Sequence, residues 1–503
     1  MAFFISSEWL DSHLMIKDAT YWAEQIRTGE ISAADLLSKT KDKIEQLNPL
    51  YNAVVADNID LAKSDLSVTQ SGFFAGVPFA LKMLGQSHAG LPATASSCLF
   101  ADSVASSDDN YVKALMKAGL TPFGQTNSPE FGFKNISDSR LYGDTRNVWN
   151  PAYYSGGSSG GAASAVASGM FPMAGASDGG GSIRIPASFS GLIGLKMTRG
   201  RMPQGPSGYR GWQGASISGS LAVSVRDVAN FVAEMQTLQE AQPYPAQLLD
   251  KKLLTELSVP SRRLKIAISF NSPIEGIKIS ETSKNALKKS IDFLEKQGHE
   301  VTEINFPLDA RALIQSYYRM NAAETIAMLE PWEKAVGRKI TKDDVELLTY
   351  ALLEAGRKAP VSSYINALDE WDLAAATFEE KIFNQFDLFI TPTTAKTAPK
   401  IGETLMSAEI LEKMTHIAQY DFEQQIKIIE EAFERSLAFT PYNFISNLTG
   451  QPALSLPVYV EETTNLPQGV QLWGPKNSEL LLLQLALEFE KHGQFVLPEA
   501  YIN

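Results

Sequence analysis

The chain has 503 residues, 44% hydrophobic and 20% charged, proportions that allow a large buried core and exclude disorder as the main state. Lys and Arg number 44 against 57 Asp and Glu, a formal net charge of −13. A chain this acidic, with no local basic patch, repels phosphate backbones and anionic lipid, so neither nucleic acid nor a membrane is expected as a partner.

In chain order, the first fourteen residues open apolar but lack a basic flank, and Glu8 and Asp11 interrupt them. They read as neither signal peptide nor span, and no later run is long and apolar enough to cross a bilayer. A helix is expected over about 16–47, broken near Gly29 and restarted by the Ser32-x-x-Asp35 cap. Residues 53–56 and 77–82 read as strands, the second almost wholly apolar and ending in Lys82. A helix over 111–118 leads through Gly119 into a strand reaching Thr126. Residues 156–200 are dense in Gly, Ser and Ala with few charges, and 160–169 reads as a small-residue helix. Ile183, Ile185, Phe189, Leu192 and Leu195 around it are too apolar for a flexible linker, so buried backbone in close contact is expected. A helix should run from Asp227 to about Leu238, a strand over 264–269, a helix over 283–297 and a strand over 301–304. Residues 311–381 read as mostly helical with breaks at Pro331 and Pro360, and 388–391 as a core strand. The tail suggests a helix over 421–437, strands over 453–460 and 469–472, and a helix over 478–490. Alternating strands and helices without a repeat give an α/β class.

Few chemistries survive inspection of the motifs. A single cysteine, Cys98, excludes an internal disulfide, reads as a small buried residue, and fits a reducing, cytoplasmic setting. His13, His88, His299, His416 and His492 are scattered with no HExxH, so no metal site or cofactor is expected. Gly156-Gly157-Ser158-Ser159-Gly160 satisfies G-x-S-x-G, but Asn150 and Pro151 break the strand that a nucleophile elbow needs. Ser38-Lys39-Thr40-Lys41 satisfies S-x-x-K on a charged helix face, which reads as solvated surface. Asp178-Gly179-Gly180-Gly181-Ser182 is more unusual. Its backbone N–H groups could converge on an oxyanion, or it could be a tight turn with a bystander serine. With no credible histidine, a base for Ser182 must be something else, and a lysine works if burial makes it neutral. Lys82 fits that role, or it is a strand-end lysine reaching for solvent.

At these residues the sequence resembles the amidase signature family. The resemblance rests on Gly156-Gly157-Ser158-Ser159-Gly160-Gly161, Asp178-Gly179-Gly180-Gly181-Ser182-Ile183-Arg184-Ile185-Pro186-Ala187 and Gly191-Leu192-Ile193-Gly194-Leu195-Lys196. Gly76–Lys82, Gly124-Gln125-Thr126-Asn127, Glu130-Phe131, Ser224–Asp227, Thr391-Pro392-Thr393 and Asn447–Ala453 extend it. It implies a mixed β-sheet covered by helices on both faces. It also implies one domain over 1–503, with a motif-bearing core at about 70–230 and 385–492 and a variable, mainly helical insertion at about 300–385. That insertion is expected to choose the substrate. Residue by residue, the resemblance implies a Ser–Ser–Lys triad of Lys82, a cis-peptide Ser158 and the nucleophile Ser182. It also implies an oxyanion hole from the backbone of Gly179, Gly180, Gly181 and Ser182, with Asp178 and Arg184 orienting the turn. The expected activity is hydrolysis of a small-molecule amide through an acyl-enzyme, by a monomer or homodimer, with no cofactor. Many members carry Thr or Ile where this chain has Gly179. The Asp-Gly-Gly-Gly-Ser form is closer to stand-alone bacterial amidases resembling 6-aminohexanoate cyclic dimer hydrolase. An amidotransferase A-type glutaminase subunit and a non-catalytic amidase-like binding protein are the alternatives.

Overall fold

The computed structural model describes residues 16–502; the N-terminal apolar run through residue 14 and His13 lie outside them. The described residues form thirteen strands: β1 (Val54–Ala56), β2 (Val77–Lys82), β3 (Leu120–Thr126), β4 (Asp138–Ser139), β5 (Gly143–Asp144), β6 (Ala174–Asp178), β7 (Ile193–Lys196), β8 (Ile217–Ala222), β9 (Lys265–Ile268), β10 (Glu300–Glu303), β11 (Leu388–Pro392), β12 (Ala453–Val460) and β13 (Pro467–Trp473). Strands β4 and β5 form a small hairpin, and the other eleven make one mixed sheet in the order β1-β3-β2-β6-β8-β7-β12-β13-β11-β9-β10. Three neighbours, β3, β2 and β6, run parallel. The centre from β6 to β11 is antiparallel, and β11, β9 and β10 are again parallel. This is the mixed sheet between helices that the resemblance implied.

Strand β2 is buried at all six positions and β3 at all seven, as expected for inner strands covered on both faces. One large core packs Phe79, Leu120, Phe231, Leu456 and Leu482 among others against the sheet. The small-residue helix spans Gly160–Ala167 and is buried at every position. A Cβ at Gly161 would stand 2.3 Å from the Asn127 backbone nitrogen, so this helix touches the end of β3 main chain to main chain. That close approach is what the Gly/Ser/Ala window encodes.

The helix expected over about 16–47 is two, Ala19–Thr28 and Ala33–Tyr51. Gly29 ends the first in the left-handed region, and the Ser32 hydroxyl caps the second by accepting the Asp35 N–H. Pro331 does not break its helix, which runs from Arg311 to Val336. Burial of Leu329 and the Glu333–Arg357 ion pair fix the residues on either side, offsetting the one backbone hydrogen bond a proline removes. Pro360 does mark a boundary, capping the helix Val361–Phe378. Residues 300–303, read as part of the insertion, belong to the main sheet as β10. Strands β6, β7 and β8 were not anticipated, because their Gly- and Ser-rich sequences have low intrinsic strand preference and are held by neighbours on both sides.

Candidate active site

Strands β2 and β6 run parallel, with Ala80 opposite Ala174, so their carboxyl ends reach the same edge of the sheet. Lys82 ends β2, and Ser177 and Asp178 end β6. Ligand sites form at such carboxyl edges because the strand ends and the turns leaving them converge there. Lys82 has no exposed surface. Its Nζ lies 2.7 Å from Ser158 Oγ and 2.9 Å from Ser177 Oγ. Burial pushes this amine down from 10.5 to about 7, against the pull of the Asp178 carboxylate. The backbone below it is pinned by Gln86, which accepts the Lys82 N–H and donates to the Ala176 carbonyl.

Ser158 precedes the small-residue helix, and the Gly157–Ser158 peptide is cis, as the resemblance implied. The glycine turn is built around Asp178, whose carboxylate is wholly buried. Burial opposes its charge, but Arg184, donating through two nitrogens at 2.9 Å each, and Asn447 Nδ2 at 2.8 Å hold its pKa at about 2. The same carboxylate accepts the N–H of Gly181 at 2.7 Å and of Ile183 at 3.1 Å. Gly181 sits at φ 123°, where a Cβ would come 2.4 Å from Asn443 Cβ, so no other residue type fits the turn. Because the Gly181 N–H is given to Asp178, the turn's N–H groups without an acceptor among the described residues are those of Gly179, Gly180 and Ser182.

Ser158, Ser177, Gly179, Gly180 and Ser182 all line one cavity of about 310 Å³. Ser182 lines this space, and among the described residues no hydrogen bond joins it to Ser158. The remaining walls are mostly apolar: Phe131 and Phe133 from the segment after β3, Trp212 before β8, Ile314 and Met328 from the helix Arg311–Val336, and Phe444. Among the described residues Lys134 is the wall's one charged side chain, and Asp138 and Glu346, each 2.6 Å away, already neutralise it. None of the described histidines lines the cavity: His88 is held between Asp65 and Asp108, His299 pairs with Glu488, and His416 and His492 sit elsewhere. A cleft of about 360 Å³ between Lys289 and His492 lies apart from all these groups and holds no comparable arrangement. Lys41 of the S-x-x-K match is engaged at the surface by Asp57, and no group of His, Cys, Asp and Glu able to hold a metal occurs among the described residues.

Sequence reasoning missed two members of this site. Ser177 offered a signal, standing immediately before the Asp-Gly-Gly-Gly block at the end of a small-residue run. Tyr317, whose hydroxyl reaches the Gly179 carbonyl, lies 138 positions away and offered none.

The family model described as Amidase matches residues 35–483. A lipoamidase of Enterococcus faecalis is 35% identical over 98% of this chain, which spans 66% of that protein. A 6-aminohexanoate-cyclic-dimer hydrolase of Pseudomonas sp. (strain NK87) is 31% identical over 94% of each chain. A solved 6-aminohexanoate cyclic dimer hydrolase superposes with a TM-score of 0.86 at 30% identity, over 96% of this chain and 99% of that one. A bacterial aryl acylamidase shares the fold, with a TM-score of 0.83 at 24% identity over 97% and 98%. No helix among the described residues is long and apolar enough to cross a membrane. With the Amidase model matched over residues 35–483, the chain belongs to the amidase signature family of hydrolases that act on amides.

Proposed function

We propose that the protein is a serine amidohydrolase in which Ser182 is the nucleophile, Ser158 the proton bridge and Lys82 the base. The observation that carries this reading is the fully buried amine of Lys82, held near pKa 7 and 2.7 Å from Ser158 Oγ. A neutral amine has a lone pair to accept a proton, which a lysine at its ordinary pKa lacks. Ser177 takes one N–H of that amine and so turns its lone pair toward Ser158.

Ser182 Oγ attacks the amide carbonyl carbon while its proton passes to Ser158 and the Ser158 proton to Lys82. The new C–O bond drives the carbonyl electron pair onto oxygen, where the N–H groups of Gly179, Gly180 and Ser182 receive it. The pair returns, the C–N bond breaks, and the leaving amine takes the proton back through Ser158. Water then attacks the Ser182 ester by the same relay, releasing the acid and restoring the serine. The apolar cavity with its neutralised lysine supports an uncharged acyl arm, because burying an unpaired charge there would be costly. Relatives named for lipoamide and for a cyclic dimer of 6-aminohexanoate support amides larger than glutamine.

Intact-mass spectrometry after treatment with a fluorophosphonate should show one adduct, on Ser182, lost in Ser182→Ala. Hydrolysis of aryl, aliphatic and cyclic amides should be lost in the same variant. An adduct on Ser158 that survives Ser182→Ala refutes the assignment.

A further inference from the structure

The Tyr317 hydroxyl donates a 2.6 Å hydrogen bond to the carbonyl oxygen of Gly179. That oxygen shares a peptide plane with the N–H of Gly180, and the plane is trans. In a trans peptide the C=O and N–H point in opposite directions, so an anchor on the oxygen aims the N–H. Little else holds this plane. Asp178 fixes the far end of the turn through Gly181 and Ile183, whereas Gly179 and Gly180 have no side chains and rotate at little steric cost. A Cβ at Gly180 would meet Tyr317 Oη at 3.4 Å and one at Gly179 would meet it at 3.6 Å, so the phenol rests against bare backbone.

Tyr317 is itself braced. Its ring packs on the buried Trp371 at 6.3 Å between centroids, and Trp371 Nε1 donates to Ser316 Oγ at 3.0 Å. Asn321, one turn further along the same helix, accepts the Trp212 indole N–H and lines the same cavity as Tyr317. Both Tyr317 and Trp371 belong to the helical segment after β10.

We propose that Tyr317 is a positioning residue of the oxyanion hole, holding the Gly179–Gly180 peptide so that the Gly180 N–H faces the carbonyl to be attacked. The inference rests on the Ser182 reaction proposed above. It gives the helical segment a part in transition-state stabilisation as well as in shaping the cavity.

Tyr317→Phe removes the anchor and keeps the ring. Loss of an oxyanion donor typically costs about 10²–10³ in kcat, and a donor left free to turn away should cost a part of that, roughly 10- to 100-fold. KM should change less than about 2-fold, since ground-state contacts are kept. Amide and ester substrates should be slowed alike, the pH midpoint of the acid limb should stay in place, and affinity for an aldehyde analogue of the substrate, whose hemiacetal with Ser182 mimics the tetrahedral state, should fall with kcat/KM. Wild-type kcat in Tyr317→Phe overturns the proposal. So does a loss confined to amides, which would make Tyr317 the acid for the leaving amine, or a rise in KM alone, which would make it only a wall. Failure of the wild-type enzyme to label at Ser182 with fluorophosphonate would instead sink the underlying reaction, whereas wild-type labelling with an equally fast Tyr317→Phe sinks the positioning role alone.

Discussion

Replacing Lys82 by Met should abolish turnover and remove a cost of folding that depends on pH. The folded chain holds this amine at about 7, whereas an unfolded lysine titrates at 10.5. Between those values the unfolded chain binds one more proton than the folded one, so wild-type stability rises with pH across that window and is lowest below 7. At about 1.4 kcal/mol per tenfold change in proton affinity, the buried amine costs roughly 5 kcal/mol below pH 7 and roughly 2 kcal/mol at pH 9. Met has similar length and no such cost. It leaves the hydroxyls of Ser158 and Ser177 without their lysine partner, an offset of about 1–3 kcal/mol each, but that offset does not vary with pH. The stability of the variant minus that of wild type should therefore fall by roughly 3 kcal/mol from pH 6 to pH 9. At about 1 °C per kcal/mol for a chain this long, that is roughly 3 °C in the difference of melting temperatures. Scanning calorimetry of both proteins at the two pH values measures it. A gap that stays constant would mean that Lys82 keeps an ordinary lysine pKa, and the proposed base would have to be given up. The kinetic counterpart is a fluorophosphonate acylation rate that falls as pH drops through about 7 and is not rescued by Lys82→Arg, because a guanidinium stays charged.

Ser177→Ala should lower the acylation rate roughly 2- to 10-fold, the worth of one hydrogen bond, because the Lys82 amine loses the partner that orients it; stopped-flow acylation reads the effect, and an unchanged rate would leave Ser177 without a part in the site. Asp178→Asn should cost about 3–5 kcal/mol, since Arg184 is left charged and buried without its partner. Thermal melts should show a corresponding drop of several degrees, and a variant melting with wild type would show that Gln471 and Asn447 suffice to hold the guanidinium.

Local chemistry in the sequence determined a good part of this protein. The cap at Ser32, the apolar strand ending in Lys82 and the small-residue helix at 160–167 are encoded by neighbours in the chain, so periodicity and capping found them. Lys82, Ser158 and Ser182 could be named through their ordered motifs, and the fold with them. Other features depend on residues far apart. Strands β6 to β8 have weak intrinsic preference and exist because partners on each side complete their ladders. Whether Lys82 is a surface cation or a buried amine is decided by packing on every side, which no six-residue window contains. The Gly181 N–H goes to Asp178 because Arg184 and Asn447, the latter 269 positions away, hold that carboxylate in place. Tyr317 meets the Gly179 carbonyl only once the helix Arg311–Val336 is laid across the carboxyl ends of β2 and β6. Sequence patterns carry contacts whose cost is set by local geometry; contacts between distant segments appear only when the sheet and helices have fixed their separation.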